Sequence, residues 1–323
     1  RIGRWVAGCG LSEVISFPFV GPADLDALGL ADDDVLRRTV LLANPLSAEH
    51  PSYTSTLMPG LLRAAARNLG RGAPGVSLFE TGMVARPAVD APPAPVYGVD
   101  RRPTAAELQA LFDAVPDQPL SLAAVLAGER ERSGWWGPGR SASWADAVAL
   151  VRDLGTELGF EVEVVAAERA PWHPGRCARL RVAGTELGHA GELHPRVCQA
   201  FGLPARTAAL EIDLDVVMAH AVEPSDPGLS TFPVAKEDVA LVVDADLPAA
   251  TLAETLREGA GELLESLRLF DVWTGEQIGA GRKSLAFALR FRASDRTLTE
   301  AETGAARDAA VSLAAERHGA VRR

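Results

Sequence analysis

Residues 223–230, Glu-Pro-Ser-Asp-Pro-Gly-Leu-Ser, crowd two prolines and a glycine into a few positions. Proline fixes φ and lacks a backbone donor, so neither a helix nor a central strand runs through such a stretch. The break leaves about 225 residues before it and about 95 after it. Each part is long enough for a core of its own, and at 47% hydrophobic residues the chain can fill both. We therefore expect domains at residues 1–222 and 230–323, joined by a linker at 223–229. A second proline-rich stretch, residues 86–103, carries no period of 2 or 3.6 and is expected to be a long exposed loop inside the first domain.

The C-terminal part is the more legible. A β-rich run at 238–244 is followed by Pro248, which opens a segment placing Leu252, Leu256, Gly259 and Leu263 on one helical face. Leu267, Leu269 and Val272 belong to a second strand. After a glycine-containing loop at 274–281, residues 284–292 alternate, with Leu285, Phe287, Leu289 and Phe291 facing one way. Thr299 with Glu302 three residues on is a capping-box signature for a helix reaching about Arg317, and residues 319–322 remain for a last short strand. The order β-α-β-β-α-β is the ferredoxin-like arrangement, in which two helices cover one sheet face and leave the other open for binding.

The first part reads as α+β with an antiparallel sheet. Runs at 179–182 and 186–192 flank a hairpin turn at Ala183-Gly184-Thr185, and residues 207–217 alternate like a further strand. Between them, residues 194–201 form a short helix closed by Gly202. Pro59 sits just inside a helix running to about Asn68. Its Leu57, Leu61, Leu62, Ala65 and Leu69 call for neighbours on two sides, another chain being one candidate.

Several function classes are excluded. There is no G-x-x-x-x-G-K-[ST], no Rossmann glycine pattern behind a strand and no G-x-S-x-G. Cys9, Cys177 and Cys198 show neither even pairing nor C-x-x-C spacing, so a disulfide framework and a zinc site are both disfavoured. His173 and His194 lack partners at metal spacing and are expected in turn and packing roles. Glu80, in Phe-Glu-Thr-Gly, is a carboxylate for a substrate amine or, in the preferred reading, a partner for an arginine. A net charge of -11, with Lys236 and Lys283 the only lysines, argues against a general basic coat, so any RNA contact must be local and shaped. No apolar run approaches the ~18 residues of a membrane span and no leader opens the chain, which points to a cytoplasmic protein without membrane contact. The start at Arg1 reads as that of a piece cut from a longer protein.

Nine short motifs carry a resemblance. Residues 14–17 (VISF), 42–47 (LANPLS), 58–62 (MPGLL), 78–82 (LFETG), 173–175 (HPG), 191–195 (GELHP), 230–233 (STFP), 269–273 (LFDVW) and 281–286 (GRKSLA) occur in the order found in the β subunit of bacterial phenylalanyl-tRNA synthetase. Across essentially the whole chain the sequence resembles the C-terminal portion of that subunit. The resemblance implies a class II synthetase-like antiparallel sheet flanked by helices, without catalytic residues, followed by the ferredoxin-like anticodon-binding domain. The stretch after Phe79-Glu80 indeed lacks an Arg-x-Glu, and no glycine-rich motif ending in arginine is found. The resemblance further implies an α subunit that activates phenylalanine with ATP and Mg²⁺, an (αβ)₂ heterotetramer and tRNA(Phe) as partner, with no DNA and no cofactor in this chain. The family's N-terminal tRNA-binding and editing domains would lie upstream. Residues 141–146 (SASWAD) depart from the family's acidic and lysine pattern and leave surface contacts there open.

Unpaired bases are read by aromatic stacking and by hydrogen bonds to their edges. Asp271 and Trp273 occupy the positions that, in the family, meet the first anticodon base. Trp273 offers a stacking face, and Asp271 can accept from the N–H groups of a guanine edge. Ser284, with Arg282 and Lys283 beside it, is expected to hold the base or a phosphate. Strand alternation sets Asp271 and Trp273 on one side and Val272 on the other. The competing reading packs Trp273 on its own loop, and Arg290 and Arg292 are weaker candidates. Two alternatives to the ligase subunit are a stand-alone RNA-binding or scaffold protein derived from it and a self-sufficient class II-like ligase. The missing arginine motifs disfavour the latter.

Overall fold

The computed structural model describes residues 1–323 except 92–93, 224–229 and 276. The chain divides into two compact units, residues 1–224 and 225–323. Of the linker expected at 223–229, all but Glu223 lies outside the described residues.

The first unit runs α1 (Ile2–Gly8), β1 (Ser12–Glu13), β2 (Phe19–Val20), α2 (Pro22–Ala27), β3 (Ser52–Tyr53), α3 (Met58–Gly70), β4 (Gly75–Met83), α4 (Ala105–Asp113), β5 (Leu120–Glu131) and β6 (Arg140–Ser141). It continues with α5 (Trp144–Leu158), β7 (Glu163–Ala167), β8 (Trp172–Val182), β9 (Thr185–Leu193), α6 (Pro195–Phe201), β10 (Ala208–Asp213) and α7 (Leu214–His220). Its main sheet has the order β1-β4-β5-β10-β9-β8-β7, antiparallel except where β1 joins β4. Strand β5 is apolar on both sides because both of its faces are buried. Leu122, Ala124 and Leu126 join a core with Val148, Val151 and Leu154 of α5. Ala123, Val125 and Ala127 join a second core with Leu61, Leu62 and Ala65 of α3. A capping box at Ser143 starts α5 and left-handed Gly159 ends it. The β8–β9 hairpin turns through Ala183 and Gly184, both at positive φ, as a two-residue turn requires.

One expectation changes and two are met. Residues 207–217 are not one strand: β10 stops at Asp213, whose carboxylate accepts from the N–H groups of Asp215 and Val216 and so caps α7. The expected two-sided burial of α3 is met within this chain. Leu61, Leu62 and Ala65 are fully buried, and Arg67 and Asn68 are exposed on the outer side of the helix, so its apolar stripe is not free for another subunit. The stretch at 86–103 has no helix or strand among its described residues beyond a bridge from Arg86 to Asp117.

The second unit contains β11 (Ala235–Asp244), α8 (Ala249–Ala260), β12 (Leu264–Trp273), β13 (Arg282–Phe291), α9 (Glu300–His318) and β14 (Val321–Arg322). The antiparallel sheet order β12-β13-β11-β14 is that of the ferredoxin-like fold. Val239, Leu241 and Val243 of β11 and Leu285, Phe287, Leu289 and Phe291 of β13 bury against Leu252, Leu256, Ala310 and Ala314 of the two helices. Thr299 and Glu302 form the capping box of α9. Among the described residues no helix is long and apolar enough to cross a membrane.

Helices α8 and α9 meet backbone to backbone at Gly259. A Cβ there would stand 2.6 Å from the Ala310 Cα and 3.2 Å from the Ala309 carbonyl oxygen. Helix propensity alone would make Gly259→Ala stabilising by about 1 kcal/mol. Overpacking of this kind costs ~1–3 kcal/mol, and the expected net result is a lower denaturant midpoint for the second unit. A rise in the midpoint would show that the helices separate freely.

Candidate nucleic-acid interface

The open sheet face of the second unit is shaped by one irregularity. Leu267 pairs with Leu289 and Leu269 with Phe287, so both point toward the helices. Strict alternation would send Asp271 and Trp273 the same way. Instead the register shifts between Leu269 and Asp271, leaving Phe270 as the extra residue of a β-bulge. From there the phase inverts: Asp271 lies opposite Ala286 and Trp273 opposite Ser284, on the open side. Asp271 and Trp273 do share a side, as alternation suggested. The bulge decides which side it is, and its only trace in the sequence is the conflict between the Leu267–Leu269 phase and polar Asp271.

Through β13 the rows continue across the face. Trp273, Ser284, Val242 and Val321 form one row, Asp271, Ala286 and Ala240 the next. Trp273 is 50% exposed, while Ser284 beside it is 3% exposed. The indole Nε1 lies 3.1 Å from where a Cβ of Gly275 would stand, so the ring rests partly on its own loop and still presents a free surface. The ring therefore packs on its own loop, as the competing reading expected, with half of its surface left exposed. Arg282 lies opposite Asp244, with its Nε 3.8 Å from that carboxylate.

Lys283 is not brought into this group. It pairs with Val243 on the helix-side phase, and its Nζ donates to the Ala245 carbonyl at 2.6 Å. Adjacency to Ser284 in sequence places it on the opposite face. Arg292 is also committed elsewhere. Its Nη1 donates to the carbonyls of Ser230 and Phe232 and its Nε pairs with Glu265 at 2.8 Å, which fastens the entering chain to the sheet.

The first unit has a cleft of about 560 Å³, lined by Ile15, Phe17, Tyr53, Leu57, Glu80 and Met83 among others, with no lysine or arginine in the lining. Glu80 is buried. One carboxylate oxygen accepts from the Ser16 N–H at 2.7 Å, and the other has no partner among the described residues. Its structural partner is thus a backbone amide and not the expected arginine. Across the sheet Glu80, Ala123, Glu211, His189 and Arg179 form one cross-strand row. Glu211 accepts from the Thr56 hydroxyl at 2.5 Å and the Leu57 N–H at 2.9 Å, anchoring the start of α3, and burial raises its pKa. His189 stacks on Trp172 at 5.5 Å, and burial pushes its pKa below the ordinary value. His173 and His194 each accept a local backbone N–H, from Gly175 and Arg196, in the turn and capping roles expected of them. No group of three potential metal ligands is found among the described residues.

Comparison with known proteins bears on both units. Residues 1–214 match the family model described as the phenylalanyl tRNA synthetase beta chain CLM domain. Residues 230–323 match the ferredoxin-fold anticodon binding domain. The chain belongs to the phenylalanine–tRNA ligase beta subunit family. It is 56% identical over 327 residues to the beta subunit of Thermobifida fusca, with all of this chain and 39% of the relative covered. It is 56% identical over 328 residues to that of Streptomyces avermitilis, again covering 39% of the relative. Identity to the Mycolicibacterium paratuberculosis beta subunit is 50% over 319 residues, which are 99% of this chain and 38% of that protein. The chain thus spans about two fifths of the length of the curated relatives it matches.

The buried His189 makes a prediction about acid. Its folded pKa lies below the reference of 6.5, so the unfolded chain takes up the proton first as pH falls, and stability is lost on going below about 6.5. His189→Phe keeps a ring on Trp172 but cannot ionise. Urea midpoints at pH 7.5 and 5.5 should differ less in this variant than in the parent; an equal difference would mean that His189 does not contribute to the acid limb.

Proposed function

We propose that this chain is the portion of a phenylalanine–tRNA ligase beta subunit that reads the tRNA anticodon and helps to hold the catalytic alpha subunit in place. The observation that carries the reading is the bulge at Phe270, which turns Asp271 and Trp273 onto the open face of a domain matching the anticodon-binding family. An unpaired base stacks on the exposed part of the Trp273 indole. A guanine presents ring and exocyclic N–H groups that the Asp271 carboxylate accepts. Ser284 lies beside the indole as a polar floor, and Arg282 at the end of the same strand serves the backbone. Lys283, held by the Ala245 carbonyl, plays no direct part.

In this reading the first unit is a scaffold in a cytoplasmic (αβ)₂ heterotetramer, and phenylalanine, ATP and Mg²⁺ are bound by the alpha subunit. The cleft at Glu80 does not suit ATP: its lining brings a carboxylate and no lysine or arginine toward a phosphate.

Trp273→Ala in the assembled ligase is expected to lower kcat/KM for tRNA charging by a factor equivalent to about 1–3 kcal/mol. Pyrophosphate exchange dependent on ATP and phenylalanine should be unchanged. Charging at the parental rate would remove Trp273 from the interface. Light scattering on this chain mixed with the alpha subunit of the same genome should show a complex, and two separate species would count against the scaffold role of residues 1–222.

A further inference from the structure

The open sheet face continues beyond the residues assigned to the base. Toward its far end, Arg290 lies between Ser266 and Lys236 on the neighbouring strands. Arg268 lies one row nearer Trp273, opposite Ala288, whose other neighbour is Asp238. With strands about 5 Å apart and two-residue steps of about 7 Å, the three cationic residues fall within roughly 12 Å of one another at the backbone. None of the three takes part in an ion pair among the described residues, whereas their neighbours do: Arg292 pairs with Glu265 and Arg307 with Glu237. Asp238 is the one carboxylate in these two rows. Three cations without an ion pair among the described residues, against one carboxylate in these rows, are a local reversal of sign in a chain of net charge -11.

We propose that Lys236, Arg268 and Arg290 form a phosphodiester-binding tract that guides the unpaired RNA strand leading away from Trp273. This rests on the reading of the open face as the anticodon surface. From Ser284 to Arg290 along β13 is six residues, roughly 20 Å, which is room for several nucleotides. Between the two ends the floor is Ala240, Ala286 and Ala288, low enough for a base or sugar to lie against the sheet. The chemistry divides along the face. At the Trp273 end one aromatic and one carboxylate suit a base, and a carboxylate there repels phosphate. At the Arg290 end cations without fixed partners suit phosphate oxygens, which carry no sequence information. In a chain of net charge -11 such a tract locally offsets a field that opposes RNA.

The test uses the assembled ligase with a full-length beta subunit and an unmodified transcript of tRNA(Phe), with binding followed from 50 to 200 mM salt. Each single-strand phosphate contact contributes about 0.7 to the slope of log K against log salt. The triple variant Lys236→Gln, Arg268→Gln, Arg290→Gln should therefore lose about 2 from the slope, and over that salt range its affinity should fall roughly 20-fold less than the parent's. Lys236→Gln and Arg268→Gln alone, at exposed positions, should each lose about 0.7. Discrimination between guanine and adenine at the first anticodon position should be unchanged. A parental slope in the triple variant, with binding still weakened by Trp273→Ala, would overturn the tract and leave the anticodon reading standing. Loss of base discrimination in the triple variant would also overturn it. Parental binding in both the triple variant and Trp273→Ala would overturn the anticodon reading along with the tract.

Discussion

A β-strand offers its residues alternately to two faces, and near the end of β12 that alternation is interrupted by Phe270. Leu267 and Leu269 complete the core beneath the helices, after which the inserted residue releases Asp271 and Trp273 to the other face. Without it, a carboxylate and an indole would be driven toward Phe287 and Leu285, where a charge has no partner. The core of the second unit and the composition of its open face thus depend on the same extra residue.

The first unit puts polar residues on a sheet face to structural use. Glu211 holds the Thr56–Leu57 backbone at the start of α3, Glu80 holds the Ser16 amide, and Glu192 is clasped by Arg176 and Arg206. These buried carboxylates tie together segments distant in sequence, fixing loops onto the doubly buried β5 and its neighbours. A sheet with such fastenings is suited to hold a shape against a neighbour, whatever chemistry that neighbour performs.

Much of this was legible in the residues because the signals are local. The α9 capping box, the alternation of Leu285 to Phe291, the Ala183-Gly184 turn and the Gly202 helix end each depend on a few adjacent positions. Failures came where a distant partner or a change of phase decides. Residues 214–217 alternate well enough for a strand, yet Asp213 caps them as a helix. Lys283 looked like a neighbour of Ser284 and faces the other way. Glu80 found an amide 64 positions away in place of an arginine. Of the five residues singled out for the anticodon, Asp271, Trp273 and Ser284 are drawn together by register, and Arg282 stands at the end of that group.

The contact between the Trp273 indole and the Gly275 turn has a thermodynamic consequence. A side chain free to sample rotamers loses that freedom when a ligand covers it, and each such loss weakens binding. Here the ring already lies against its own loop, with Gly275 leaving space for its Nε1 edge. Part of its ordering therefore comes with folding. On the proposed reading, a base stacking there would meet a ring already held along one edge, and less of the stacking free energy would go to ordering the protein.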